Sequence, residues 1–419
     1  MEAQKPQIGD ELNQHYAAML GLKRPWLVGR VELQLSAKRL EIHLEEELEA
    51  SFDCPECSRG CWLHDHAPAR RWRHLDALGF VTLIIARLPR VRCPEHGVKT
   101  VSVPWAGAHS RFTLAFEAFA IAVLQATANL KAAAGLLDLN WKSLQDIVDR
   151  AVARGLTRRS VEEVRRVGLD EKSFGKGQDY ISVMCDLGHA RVLDVVPGRD
   201  TQSARELWQT LPEPVRARVE AVAMDMSAGY QSATRIEAPQ AHIVFDKFHV
   251  SKHLGEAVDR TRRAEHKSLM AQGDDTLTGT RYLFLYNPQN FSAEQSTSFK
   301  ALLEINLTSG RAWAYKELFS EFWEQPGVAA AQQFLKNWLG RVKRTRLPEM
   351  KRAAATIERH SEGLLNYFVH RITNALSEGF NSRIQQLKAA ARGFRNFANY
   401  RSRILFFLGS LNLAPAQSH

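Results

Sequence analysis

VGLDEKSFGKGQDYISVMCDLG, residues 167–188, is where the chain first reads as β-structure. An apolar approach ends at Asp170, polar residues and the glycines of FGKGQ follow, and a second apolar run begins at Tyr180. Short apolar runs bounded in this way are strands, and the glycines between them read as a hairpin turn. Because side chains alternate along a strand, Asp170 and Glu171 fall on opposite faces. Working outward, ARVLDVVPG, RVEAVAMDM and AHIVFDKF are further strands, while SARELWQTL and SAGYQSATRI have helical spacing. Three strands in succession, then strand, helix and strand, predict a mixed sheet flanked by helices.

The chain has 419 residues, 45% hydrophobic and 24% charged, a composition that suits several domains and excludes a disordered protein. No long apolar window occurs, and MEAQKPQIGDELNQ lacks the basic and apolar regions of a leader, so a cytoplasmic, nucleoid-associated protein with no membrane partner is expected. The net charge is +10, and fourteen Lys/Arg stand against four Asp/Glu between Gly340 and Arg403. That imbalance points to a polyanionic partner, with a solvated charged face as the alternative. No G-x-x-x-x-G-K-[ST] loop is present, so ATP hydrolysis is not indicated.

Residues 1–50 form an N-terminal segment with the acidic run EIHLEEELEA, followed by a Cys-, His- and Arg-rich module at 51–104. There Cys54-Pro-Glu-Cys57 and Cys93-Pro-Glu-His96 are near copies, with thirty-five residues between them. Two such knuckles suit one tetrahedral structural Zn2+ with no open position for catalysis. Cys61, His64, His66 and His74 are competing ligands that do not repeat the pattern. Arg70, Arg71, Arg73, Arg87, Arg90 and Arg92 surround the module and argue for DNA contact.

Residues 105–160 turn helical. In NLKAAAGLLDLNWKSLQDIVDRAV a helix from about Leu130 to Leu137 breaks at Asp138-Leu139-Asn140, and Asn140 caps a second helix with Leu144, Ile147, Val148 and Val152 inward. Trp141, Lys142, Gln145 and Arg150 are read on the exposed face, as in a helix-turn-helix that enters a major groove. Two packed helices with a short turn are also common in any helical domain.

Residues 161–250 hold the sheet, and 251–362 read as an all-α insertion with Trp313, Trp323 and Trp338 as core aromatics. In the last segment, 363–419, Leu376, Phe380, Ile384 and Leu387 make an apolar stripe that leaves Glu378, Asn381, Ser382 and Gln385 opposite. Arg383, Lys388, Arg392 and Arg395 on and after this helix are assigned to DNA phosphates. Asp170 and Asp225 each close an apolar strand, and with Glu378 they make three carboxylates able to bind divalent ions through oxygen alone.

Taken in order, CPEC and RVRCPEH, NLKAAAGLLDLNWKSLQDIV, VGLDEKSFGKGQDYISV, AVAMDMSAGYQSA, HIVFDKFHVSKHL and NALSEGFNSRIQQLKAAARGFRNFANYRSRIL resemble the bacterial insertion-sequence transposases of the ISL-three type. The resemblance runs from about Cys54 to Leu408. It implies an α/β multidomain protein in which a ribonuclease-H-like mixed sheet, interrupted by an all-α insertion, follows a small zinc-binding module and a helix-turn-helix domain. It also implies an acidic triad, carried onto Asp170, Asp225 and Glu378, and Asp246 and His249 match a further motif of the family. His96 stands where the commoner zinc pattern has Cys. The expected activity is Mg2+- or Mn2+-dependent cleavage at the inverted-repeat ends of an insertion sequence and strand transfer into target DNA. The working complex would be a homodimer or higher oligomer on double-stranded DNA. A DNA-binding regulator with an inactive ribonuclease-H-like domain is the alternative, and a stand-alone structure-specific nuclease is a third.

Overall fold

The computed structural model describes residues 8–175 and 179–415. Lys176 and Gly177 of the expected hairpin turn lie outside the described residues. The chain divides into two compact units, 1–159 with 411–419, and 160–410. The stretch from 411 onward, read in the sequence with the Glu378 helix, thus groups with the first unit.

In the first unit α1 (Ile8–Met19) precedes β1 (Trp26–Gln34), β2 (Arg39–Glu46), β3 (Ser51–Asp53), β4 (Gly60–Arg73), β5 (Val81–Cys93) and β6 (Gly97–Thr100). Their order is β1-β2-β5-β4-β3, with β6 also on β5. The β2–β5 pair is parallel, from Arg39↔Val81 to Leu44↔Ala86. The strands before residue 50, set apart in the sequence reading, are therefore part of the same sheet as the zinc hairpin. A parallel pairing over such a distance leaves no local turn signal to read. Trp105 sits edge-on between Trp26 and Trp72, at centroid distances of 4.8 and 5.7 Å, and these rings anchor the core.

Three helices follow: α2 (Leu114–Thr127), α3 (Leu130–Leu137) and α4 (Trp141–Arg158). Asp138 ends α3 in the left-handed region, φ 50°, where a short polar side chain is tolerated. Asn140 then opens α4 by accepting the backbone N–H of Ser143 at 2.8 Å. Leu144, Ile147, Val148 and Val152 are buried, so the period read in the sequence gives the inward face of α4.

The second unit is built on β7 (Arg166–Ser173), β8 (Tyr180–Asp186), β9 (Arg191–Pro197), β10 (Ala221–Met224) and β11 (His242–Phe245). The order is β11-β10-β7-β8-β9, and β8 alone runs antiparallel to its neighbours. Every residue of β8 from Ile181 to Asp186 is buried, as expected of a strand covered on both faces. The helices α5 (Thr201–Gln209), α6 (Glu213–Arg216) and α7 (Ala228–Glu237) connect β9 to β11 through β10. Val167 and Leu169 join Leu207, Trp208 and Tyr230 in one core on that side of the sheet.

After β11 the chain leaves the sheet through α8 (Lys247–Met270), α9 (Arg281–Leu285), α10 (Ala293–Glu304), α11 (Thr308–Ser320), α12 (Val328–Lys343), α13 (Pro348–Arg359) and α14 (Ser361–His370). Trp323 and Trp338 are buried in this bundle and Trp313 half-buried against it. It returns through α15 (Ala375–Ala390) and α16 (Phe397–Leu408). Gly168 of β7 permits the close approach of α15, because a Cβ there would lie 2.4 Å from Ser377 Oγ. No helix among the described residues is long and apolar enough to cross a membrane.

Candidate active site and metal site

Cys54 follows β3, Cys57 lies in the turn into β4, Cys93 ends β5 and His96 precedes β6, so paired hairpins bring the two knuckles together. Cys57 and Cys93 Sγ are 3.7 Å apart, and His96 Nδ1 lies 3.5 Å from Cys93 Sγ and 3.8 Å from Cys54 Sγ. A tetrahedral ion with ordinary zinc bond lengths needs edges of about 3.8 Å between sulfurs and about 3.5 Å between sulfur and nitrogen. The four residues therefore fit zinc without rearrangement. Burial opposes it, yet His96 and the backbone N–H groups of Glu95 and His96 pull the Cys93 thiol down to about 6, toward the thiolate a metal requires.

Three of the four competing ligands have other partners, and His64 is exposed. Cys61 Sγ donates to the Arg59 carbonyl at 3.3 Å, His66 is bonded to Glu46, and His74 Nδ1 lies 2.9 Å from Thr113 Oγ1. Of the neighbouring arginines, Arg90 is paired with Asp65, Arg73 with Asp76, and Arg70 donates to the Ser110 carbonyl, whereas Arg71, Arg87 and Arg92 are exposed. A second close group, Glu32, Glu41 and His43 on β1 and β2, has an arginine beside each glutamate.

On α4, Trp141 is 61% exposed and Lys142 is exposed. Gln145 is not on the outer face: it is buried, and its Nε2 donates to Asp149 Oδ1 at 2.8 Å. Arg150 also departs from the expected role. With Arg154 it meets Glu117 of α2, at 3.3 and 3.2 Å, and Glu117 is 1% exposed. A carboxylate so buried requires a cation beside it, and these two arginines supply it.

The acids of the second unit line up by strand register. Ala223 of β10 pairs with Gly168 of β7, and Met224 pairs with Phe245 of β11. Continued by one or two residues, that register sets Asp170, Asp225 and Asp246 level across three adjacent parallel strands. Asp225 Oδ1 accepts the Ser227 N–H at 2.9 Å, fixing the turn into α7. Asp246 caps α8, accepting the Phe248 N–H at 2.5 Å, and also accepts the Asn374 N–H at 2.9 Å. Glu171 points the other way, to Arg199 at 3.3 Å.

Glu378 stands in the first turn of α15. The buried stripe of this helix is Ser377, Phe380 and Ile384, while Leu376 is 41% exposed, so the helix is rotated from the phase expected. That rotation carries Asn381 inward, where its Nδ2 donates to Asp170 Oδ2 at 2.8 Å. Arg383, Arg392 and Arg395 are exposed, and Lys388 Nζ donates to the Ser173 carbonyl at 3.2 Å.

Burial pushes the Asp170 carboxyl up to about 6; the Glu171 N–H and His249 work against this, and Asp225 and Asp246 add to it. Glu378 is raised by burial and by Asp246, with His249 again opposing. Asp170 thus lies within electrostatic reach of Asp225, Asp246 and His249, and Glu378 within reach of Asp246 and His249. Asp170, Asp225 and Glu378 do not close to the mutual 4.8 Å reached by the zinc ligands. A set of carboxylates that offers only oxygen donors fits a hard divalent cation. Sequence reasoning left Asp246 without a role, although HIVFD repeats the pattern of VGLD and VAMD.

A family model described as transposase matches residues 167–404. One described as the helix-turn-helix domain of transposase family ISL3 matches 101–152, and one described as the zinc-finger of transposase IS204/IS1001/IS1096/IS1165 matches 50–96. The chain is 26% identical over 364 residues to the transposase for insertion sequence element IS1001 of Bordetella parapertussis, covering 86% of this chain and 89% of that one. It is 27% identical over 370 residues to the transposase for insertion sequence element IS1557 of Mycobacterium tuberculosis (strain ATCC 25618 / H37Rv), covering 82% of each. With zinc-finger, helix-turn-helix and transposase regions matched in order, the last over more than half of its length, this chain belongs to the ISL3 family of transposases.

Proposed function

We propose that Asp170, Asp225 and Glu378 are the catalytic acids of this transposase and that the second unit is a ribonuclease-H-like domain interrupted by α8–α14. The observation that carries the reading is the level row of carboxylates on β7, β10 and β11, with Glu378 delivered beside it by the helix that follows the inserted bundle. The order β11-β10-β7-β8-β9 with one antiparallel strand supports the fold assignment.

Asp170, Asp225 and Glu378 would hold Mg2+ or Mn2+. Such ions, when bound, activate a water or 3′-hydroxyl nucleophile and neutralise charge on the leaving oxygen. The chain's own residues do the positioning. Asn381 fixes the rotamer of Asp170 through its amide, Asp246 ties the start of α8 to the start of α15, and His249 tempers the charge of the acids around it. Arg383, Arg392 and Arg395, exposed on and after α15, are suited to the phosphates flanking the scissile bond. Trp141 and Lys142 are the residues of α4 that remain available to DNA; Gln145 and Arg150 serve the interior.

The substrates are the inverted-repeat ends of an insertion sequence and a target duplex, and joining two ends calls for at least a dimer on DNA. The place of action is the cytoplasm, on the nucleoid. Incubation of the full-length protein with an inverted-repeat duplex and Mg2+ tests the reading. Wild type is expected to nick at the end and join it to target, and Asp170→Asn, Asp225→Asn and Glu378→Gln to bind without nicking. Intact cleavage in all three variants would reject the triad, and binding without nicking by wild type would make the protein a regulator.

A further inference from the structure

The inserted bundle carries a basic concavity remote in sequence from the zinc ligands and from the acids of β7 and β10. Helix α11, the end of α12 and the turn that follows enclose a cavity of about 660 Å3. Arg311, Arg341, Arg344 and Arg346 line it, with Tyr315 and Leu318 among its less polar walls, and no carboxylate lines it. All four guanidinium side chains belong to exposed residues, and none has an ion-pair partner among the described residues. Arg311 has only the neutral Thr308 Oγ1, at 3.3 Å. Lys343, by contrast, between two of them in sequence, is paired with Glu358 at 2.7 Å.

Cations in the last turn of a helix gain from its dipole, and that alone would account for Arg341 and Arg344 at the end of α12. It does not account for Arg311, in the first turn of α11, where the dipole repels a positive charge. Nor does it account for Arg346, beyond the end of α12. Four like charges around one hollow repel each other, and an anion with several charges that spans them relieves that repulsion. The planar guanidinium fork suits phosphate oxygens in pairs. Three of the four arginines also open the basic stretch that begins at Gly340.

We infer that this arginine-lined concavity binds the phosphodiester backbone of duplex DNA. The inference rests on the DNA-processing role proposed above and gives the insertion a part in it: holding duplex through phosphates, without reading sequence. Its test needs neither Mg2+ nor an end sequence. Binding of a labelled duplex of unrelated sequence to the zinc-loaded full-length protein, in buffer without added Mg2+, is measured over a range of NaCl concentrations. Three proteins are compared: wild type, a variant with all four arginines changed to Gln, and a variant with all four changed to Lys. Each phosphate contact contributes about 0.9 to the slope of log Kobs against log salt, so the Gln variant should be shallower by roughly 2 to 4, while the Lys variant keeps the wild-type slope. A Gln variant with unchanged slope and affinity overturns the inference. So does calorimetric binding of ATP or pyrophosphate to wild type and not to the Gln variant while the DNA slope stays the same, since the hollow would then be a polyphosphate pocket. If the fourfold Gln variant does not fold, Arg344→Gln with Arg346→Gln is expected to lower the slope by about 1 to 2, and an unchanged slope there overturns the inference equally. Cleavage plays no part in the readout, so failure of the triad assignment and failure of this one are distinguishable.

Discussion

Asp246 accepts the backbone N–H of Asn374 at 2.9 Å, joining two residues that stand at the two ends of the inserted bundle. Its other oxygen caps α8 through Phe248, and Glu378 lies one helical turn beyond Asn374, its N–H bonded to the Asn374 carbonyl at 3.0 Å. One carboxylate thus sets where the bundle leaves the sheet and where the Glu378 helix begins.

Asp246→Asn leaves one acceptor oxygen for two backbone donors. A loss of about 1–3 kcal/mol in stability is expected, seen as an earlier urea midpoint. Cleavage should fall further than the folded fraction does, because Glu378 loses its anchor. Wild-type cleavage by the folded variant would reduce Asp246 to a structural cap.

Asn381→Leu removes the amide that holds Asp170 Oδ2. Hydrogen bonds to charged groups contribute about 1.5–3 kcal/mol, so nicking by this variant is expected to slow about 10- to 100-fold. Binding to end DNA should stay at the wild-type level. Equal loss of binding and nicking would mean that the helix itself had moved.

Asp170 gives a pH dependence with a definite sign. Its folded pKa, raised by burial from 3.8 to about 6, means that the native state holds the proton more tightly than the unfolded chain. The metal-free protein is therefore penalised above pH 6, and the penalty is relieved as pH falls from 6 toward 3.8. Its size is about 3 kcal/mol. Without added Mg2+ at pH 7, Asp170→Asn is expected to be more stable than wild type by up to that amount, with the difference gone near pH 4. Matching urea midpoints at pH 7 would count against the buried, uncompensated carboxylate.

Zinc should be stoichiometric in wild type and absent from Cys93→Ser, while Cys61→Ser, whose thiol donates to the Arg59 carbonyl, keeps it. Elemental analysis reads this directly. Chelation is expected to unfold the hairpins around β4 and β5, whose turns close on the four ligands. Zinc retained by Cys93→Ser would assign the site to another donor set.

The zinc knuckles, the Asn140 cap and the end of β10 before Asp225 were legible because each is written in adjacent residues, whereas Asp170, read as a strand end, lies inside β7, which runs on to Ser173. What was not legible depends on partners far away in the chain. Gln145 and Arg150 have outward spacing on paper, yet Asp149 holds the first and buried Glu117 draws in the second. The phase of α15 follows Gly168, which admits Ser377 at the sheet and turns Leu376 to solvent. The pairing of β2 with β5 joins the N-terminal segment to the strand that ends in the zinc ligand Cys93. In each case a tertiary contact outweighs the local pattern.

The position of α8–α14 between β11 and α15 also bears on how the protein is made. By the time β11 has left the ribosome, the zinc ligands, the helix-turn-helix and the first two of the proposed acids have all been synthesised, and Glu378 has not. A stop codon or frameshift anywhere in the bundle would thus yield a polypeptide with the zinc ligands and the helix-turn-helix but without Glu378 and without the 411–415 segment that α4 holds through Arg154 and Arg158. On the proposed assignment, such a product lacks the acid needed to cut, so cleavage activity exists only in chains translated past the bundle.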